Sequence, residues 1–385
     1  MPLTPSSRSQ VDAFIAMDVM AAAVAEERAG RDIAHLEVGQ PGTPAPTKAR
    51  EAAMTALRGG NTMGYTEALG LRALRERIAQ MYAEVHGVTV SADRVVVTTG
   101  SSAGFLLAFL SVLEAGDRLA LADPGYPSYR NILRSINIEP VALEATLADG
   151  YQPTPALLAK AREAGPIKAL LAASPANPTG TMLSRDQMSA LILDCAVNDA
   201  IFISDEIYDR LSYGARPTTA LALSEDAIVI NSFSKYYCMT GWRIGWMVVP
   251  EALLRTVERL AQNHFICPPH ISQIAALAAM DCEEELSANL ETYTANRALL
   301  LDALPKLGFT DFAPADGAFY LYADVSRLTN DSVAFAKRML KEAGVAAVPG
   351  QDFDPNRGQK TMRLSFAGST ETVEKAVDRL GKWLG

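Results

Sequence analysis

The chain has 385 residues, 49% of them hydrophobic, and a formal net charge of −9, so one very large or two ordinary domains with a substantial core are expected. Both signs of charge are scattered and the balance is acidic, which argues against nucleic acid and anionic membrane as partners. The four cysteines, Cys195, Cys238, Cys267 and Cys282, form no C-x-x-C pair, so neither a metal site nor a disulfide framework is indicated.

The first ten residues are polar and lack the apolar segment of a secretory signal. The apolar stretch 13–25 holds Asp18 and is too short to span a bilayer, so a cytoplasmic protein is expected. Residues 12–29 have helical spacing and stop at Gly30. Residues 33–38 are a short apolar piece that leads into the irregular loop Gly39-Gln40-Pro41-Gly42-Thr43-Pro44. Residues 47–58 and 71–87 read as helices.

From about residue 94 the pattern changes. Short β-branched or apolar runs at 94–98, 118–122, 140–143, 168–172, 200–204, 227–231 and 244–249 alternate with helical segments. This predicts a mostly parallel sheet covered on both faces. Residues 271–304 read as one long helical stretch ended by Pro305. A strand at 319–325, a helix at 332–343, a strand at 362–366 and a helix at 370–384 follow. The predicted fold class is α/β. A large three-layer αβα domain spans 40–280, and 1–39 joins 281–385 in a smaller α+β domain.

In such a sheet, ligands bind beyond the carboxyl ends of the strands. Those ends carry Thr99-Gly100-Ser101-Ser102, Asp123-Pro124-Gly125-Tyr126, Ser174-Pro175-Ala176-Asn177, Asp205-Glu206-Ile207-Tyr208 and Ser232-Phe233-Ser234-Lys235. Taken alone, Lys235 reads as a surface lysine. Ser232, Ser234 and Arg243 change that reading. An amine beside hydroxyls and a guanidinium suits a phosphate-bearing aldehyde cofactor, and pyridoxal 5'-phosphate (PLP) needs this arrangement. Asp205 alone reads as a helix N-cap, with Tyr208 following at helical spacing. Gly100, Ser101 and Ser102 precede a helical run, so their backbone N–H groups form an anion seat.

These pieces occur in one order along nearly the whole chain, together with Gly39-Gln40-Pro41-Gly42, Gly64-Tyr65, Asn177-Pro178-Thr179-Gly180, Gly241-Trp242-Arg243-Ile244-Gly245 and Met362-Arg363-Leu364-Ser365-Phe366. The set resembles the fold type I, class I/II PLP-dependent aminotransferases, the aspartate/aromatic aminotransferase-like group. The resemblance implies that Lys235 is the catalytic Schiff-base lysine, its pKa lowered by Arg243 and the protonated ring. It implies that Asp205 faces the ring nitrogen, that Tyr208 and Asn177 bond the ring oxygen, and that Tyr126 stacks on the ring. Gly100, Ser101, Ser102, Ser232, Ser234 and Arg243 would hold the phosphate.

By the same resemblance Tyr65 reaches the phosphate of a neighbouring subunit, which implies a homodimer with shared active sites. Arg363 would fork the substrate α-carboxylate, with Asn177 and Gly39 beside it. Phe319 and Phe353 read equally as cavity walls or core. The implied activity belongs to amino acid metabolism: an L-amino acid gives its nitrogen to a 2-oxo acid by a ping-pong route. A C–S β-lyase or a decarboxylase on the same scaffold is the nearest alternative. A non-enzymatic PLP-binding regulator is another, although a first helix starting near Asp12 leaves no room for a DNA-binding module. Ser101 stands where one aspartate aminotransferase subgroup has lysine, which weakens an aspartate reading. His264 and His270 lie in a loop resembling one that reaches the partner's pocket. The donor stays open among aromatic, methionine-like, dicarboxylate and broad choices.

Overall fold

The computed structural model describes residues 3–60 and 62–385. Met1 and Pro2, where the polar N-terminal stretch and the expected small domain begin, lie outside the described residues. Helix α1 (Ile15–Arg28) starts later than the sequence pattern suggests, because its cap is distant. The N–H groups of Ile15 and Ala16 donate to Oδ1 and Oδ2 of Asp352, each at 3.0 Å. Of the apolar piece 33–38 only β1 (Ala34–His35) is a strand. Helices α2 (Thr47–Arg58) and α3 (Arg72–His86) follow, and Gly87 ends α3 in the left-handed region at φ 67°.

The alternating section gives β2 (Val95–Thr98), α4 (Gly100–Val112), β3 (Arg118–Asp123), α5 (Pro127–Ser135), β4 (Glu139–Glu144), α6 (Pro155–Arg162) and β5 (Ala169–Ala173). It continues with α7 (Arg185–Val197), β6 (Ile201–Asp205), β7 (Ile228–Ser232) and β8 (Gly245–Val248). These strands form a seven-stranded sheet in the order β2-β8-β7-β6-β5-β3-β4. Strand β8 runs antiparallel to both neighbours, and the other pairs are parallel. Strands β2, β3, β5, β6 and β7 therefore end at one edge.

Every residue of β2, β7 and β8 is buried, as the unbroken apolar runs require. Successive residues serve opposite cores. Val95 and Val97 join one apolar cluster while Val96 joins the other, and Leu170 and Ala172 face away from Ala169 and Leu171.

Helix α8 (Leu254–His264) leads to α9 (His270–Ala279) and α10 (Glu283–Ala303). The single helix expected over 271–304 is thus broken at Met280-Asp281-Cys282. Arg77 pins the break: its Nε donates to Asp281 Oδ1 at 3.0 Å and its Nη2 to the Met280 carbonyl at 3.2 Å. Glu283, Glu284 and Glu285 then sit in the first turn of α10, where the helix dipole favours carboxylates.

The rest of the chain forms β9 (Tyr320–Asp324), α11 (Ser332–Arg338), β10 (Val345–Ala346), β11 (Val348–Pro349), β12 (Thr361–Ser365) and α12 (Thr370–Leu384). The helix expected to 343 ends in a π turn at Met339–Ala343. Strands β11, β12 and β9 make an antiparallel sheet, and β1 pairs parallel with β10. Helix α1 packs on β10 and β11. No helix among the described residues is long and apolar enough to cross a membrane.

Candidate active site

The polar strand ends face α1 and β12 across a cavity of about 290 Å³. Gly39, Ser101, Ser102, Tyr126, Asn177, Tyr208, Ser234, Lys235, Arg243 and Arg363 all line it. A larger cavity of about 440 Å³ lies between α3 and the start of α10, lined by ions that already pair, such as Arg77 with Glu84 and Arg210 with Glu283.

Lys235 lies in the turn after β7. Its Nζ donates to the Gly39 carbonyl and lies 5.6 Å from the Tyr208 ring centre. Burial pushes its pKa down to about 7, and the Arg363 charge adds to the effect. Asp205 opposes the shift and Arg243 contributes least. Burial, rather than Arg243, is therefore the main cause, which corrects the sequence-based expectation.

Asp205 ends β6, fully buried behind the cavity wall. The Tyr129 hydroxyl donates to Oδ2, and the Ile207 N–H donates to Oδ1 at 3.0 Å. Burial nevertheless pushes its pKa up to about 6. No helix follows Asp205. Tyr208 reaches the cavity from a turn, and its hydroxyl meets that of Tyr320 at 2.7 Å.

Arg363, on β12, is 2% exposed. Its Nη1 donates to Asn177 Oδ1 at 2.9 Å and its Nη2 to the Glu37 carbonyl at 2.6 Å. Its guanidinium carbon stands 4.3 Å from the Tyr320 ring centre and 4.8 Å from that of Phe353. Its Nε has no partner. Phe319 and Phe353 are both fully buried core residues outside the cavity lining.

Gly100 opens α4 at φ 75°, and a Cβ there would run into the Arg243 guanidinium. Only glycine lets that cation approach the first turn of α4 so closely. Ser101 and Ser102 lie in the same turn. Ser232 is not brought to the cavity. Its Oγ accepts from the Ser234 N–H at 3.0 Å and donates to the Ile244 carbonyl at 3.4 Å, so it shapes the turn that carries Lys235. Tyr65 is 82% exposed and also outside the cavity. His270 Nδ1 bonds the adjacent Gly64 carbonyl at 3.0 Å. Neither His264 nor His270 lines the cavity.

Sequence reasoning missed Tyr320, Tyr129 and the α1 face. A Cβ on Gly39 would overlap the Tyr320 hydroxyl, so that glycine serves a protein contact as well. Tyr129 falls one helical turn after Tyr126, a spacing that could have exposed it. Among the described residues no His, Cys, Asp or Glu cluster is placed to hold a metal.

The donor set fits PLP. A buried amine is near neutrality, a buried carboxylate lacks a cationic partner, and an arginine closes on a helix N-terminus. Fold and site together define a PLP-dependent aminotransferase. The family model described as aminotransferase class I and II matches residues 31–380, and the chain belongs to that family. It is 48% identical to the valine–pyruvate aminotransferase of Mycobacterium tuberculosis, over 98% of this chain and 97% of that one. It is 33% identical to the aspartate/prephenate aminotransferase of Thermus thermophilus, over 95% of each. A crystal structure of an aminotransferase from Mycobacterium tuberculosis superimposes with a TM-score of 0.97 at 47% identity, covering 100% of this chain and 99% of that one. The aspartate aminotransferase from Thermus thermophilus with maleate gives 0.91 at 31% identity, covering 99% of this chain and 100% of that one.

Proposed function

We propose that this cavity is where nitrogen passes between an amino acid and a 2-oxo acid, with Lys235 as the catalytic residue. The observation that carries the reading is the buried Lys235 amine, pushed down to about 7 and held between the Gly39 carbonyl and the Arg363 charge. PLP, when bound, supplies an electron-poor aldehyde that accepts and returns the amino group. A neutral Lys235 Nζ is nucleophilic toward that aldehyde near pH 7. With substrate in place, the same Nζ would be the group that takes and returns a proton at the substrate Cα.

The other residues bind and orient. Asp205, steadied by Tyr129, offers its carboxylate to the ring nitrogen, and that cation would offset the cost of burying Asp205. Tyr208, Asn177 and Tyr126 line the cavity; Tyr208 and Asn177 would donate to the ring oxygen and Tyr126 would cover a ring face. Ser101, Ser102, Ser234 and Arg243 would hold the phosphate, with Gly100 making space for the guanidinium. Ser232 supports that seat through Ser234. Arg363 takes the substrate α-carboxylate, its free Nε adding a donor, and Asn177 and Gly39 border the same place.

A homodimer with shared sites completes the proposal. Exposed Tyr65 lies near exposed Met54 and Leu57 of α2 in sequence, and Ile266 is exposed beside the loop that His270 ties to Gly64. Tyr65 would act on the partner's phosphate. The large domain spans 40–280, with 1–39 and 281–385 as the small one. The four free cysteines suit a reducing cytoplasm.

The test mixes the PLP-loaded enzyme with a panel of amino acids and no acceptor. Conversion of the aldehyde cofactor to its amine form, with one oxo acid released per site, supports the reading. Steady release of pyruvate and ammonia from cystathionine, with the cofactor unchanged, would assign a lyase instead. The named relatives span valine–pyruvate and aspartate/prephenate activities, so the residues around the substrate side chain decide the donor.

A further inference from the structure

Two chain segments that carry parts of the site meet at an arginine outside the cavity. The turn 123–126, at the end of β3, brings Tyr126 to the cavity. The segment between β11 and β12 brings Phe353, whose ring centre stands 4.8 Å from the Arg363 guanidinium carbon. Asp352 in that segment caps α1, whose Ala16, Met17 and Met20 wall the cavity. The segments are joined along the backbone. The Gly125 N–H donates to the Phe353 carbonyl at 3.0 Å. Arg130, on α5, donates to the carbonyls of Asp352 and Phe353. A Cβ on Gly125 would run into the Ala122 carbonyl, so the turn has little room to change shape.

Arg357 closes this junction. Its Nε donates to Asp354 Oδ2 at 2.7 Å, and its backbone N–H donates to Asp354 Oδ1 at 2.8 Å. Its Nη2 crosses to the main sheet and donates to the Asp123 carbonyl at 2.7 Å and the Ala145 carbonyl at 3.2 Å. Asp123 ends β3 and Ala145 follows β4, its parallel neighbour. A buried carboxylate thus aims the guanidinium, and the other arm of the fork grips the ends of two strands. The Arg357 side chain is 37% exposed, so its loss opens no hole in the core. The lever is short. Tyr126 lies three residues after Asp123, and Phe353 lies next to Asp354. On the transamination reading, on which this inference rests, Tyr126 covers the cofactor ring and Arg363 takes the substrate carboxylate. The spacing of these two sets where the substrate Cα lies, and an error of about 1 Å there can cost on the order of a hundredfold in rate.

We infer that Arg357 is a positioning residue that fixes the spacing between Tyr126 and Arg363. The test compares native and Arg357→Ala proteins by equilibrium PLP binding to the apo-protein, thermal melting and single-turnover kinetics. The kinetics use the panel amino acid that the native holoenzyme converts fastest. The rate at saturating donor is expected to fall about tenfold or more, and the PLP dissociation constant to rise about threefold or more. Asp32→Ala, which breaks ion pairs to Lys375 and Arg379 outside the cavity lining, is expected to keep both native values. Equal changes in Asp32→Ala would show that lost stability alone moves these constants, and would overturn the inference. Native constants in Arg357→Ala, whatever its melting temperature, overturn it too and leave the transamination reading standing. Arg357→Lys keeps the charge beside Asp354 without the planar fork, so it is expected to recover less than about half of the lost rate. If the alanine variant does not fold, the lysine variant decides: a rate within about twofold of native overturns the inference. A native holoenzyme that converts no amino acid overturns the transamination reading and this inference with it.

Discussion

An amine taken out of water and set beside a guanidinium loses its proton readily, and Lys235 is such an amine. Its pKa stands at about 7 in the folded chain against 10.5 for an ordinary lysine. Between those values the unfolded chain holds a proton that the folded chain does not. The stability contribution of this group therefore rises with pH across that window, and its cost is fully present below about 7. The chemical consequence is that loading of the apo-protein with PLP should speed up to about pH 7 and then level off. A rate still climbing about tenfold per unit toward pH 10 would contradict the burial argument. At Arg363 the expected effect is on carboxylate recognition. Arg363→Ala should lose roughly 2–5 kcal/mol of substrate binding, seen mainly in KM, and Arg363→Lys should recover only part because it lacks the planar fork. Half-reaction kinetics measure both, and unchanged constants would remove Arg363 from substrate binding. Lys235 and Asn177 were legible because each follows an apolar run at a strand end, and Arg243 because it stands just before one. Tyr320 was not, since an aromatic inside a strand run looks like core until Gly39 and Arg363 are seen against it.

Elements were legible where local pattern and tertiary packing agree. The runs that became β3, β5, β6 and β7 are apolar because both faces of the main sheet are covered. The break between α9 and α10 was hidden, because helical spacing continues across residues that Arg77, far away in the chain, pulls out of the helix. The start of α1 was hidden for the same reason, its cap being Asp352. That cap carries a prediction. Asp352→Ala should lower stability by about 0.5–2 kcal/mol, raise amide exchange over 15–28, and weaken donor binding by loosening the α1 wall. Unaltered exchange in α1 would show that the cap does not hold the helix.

For the whole molecule, the topology that gathers the parallel strand ends at one edge explains why residues spread from Gly39 to Arg363 share one cavity. In the proposed dimer, Tyr65, exposed and outside this cavity, would serve the partner's site. Tyr65→Ala and Lys235→Ala chains, each impaired alone, should restore activity when unfolded and refolded together, because a mixed dimer holds one intact site. Statistical pairing gives roughly a quarter of the native rate, and no recovery would deny shared sites. The family and the α/β class could be read from the order of the motifs. The donor could not, because it depends on a surface that no local pattern encodes. The most direct measurement is borohydride reduction of the PLP-loaded protein followed by peptide mapping. The predicted result is a single adduct on the peptide that carries Lys235. An adduct on a different lysine, or none at all, would contradict the assignment of the site.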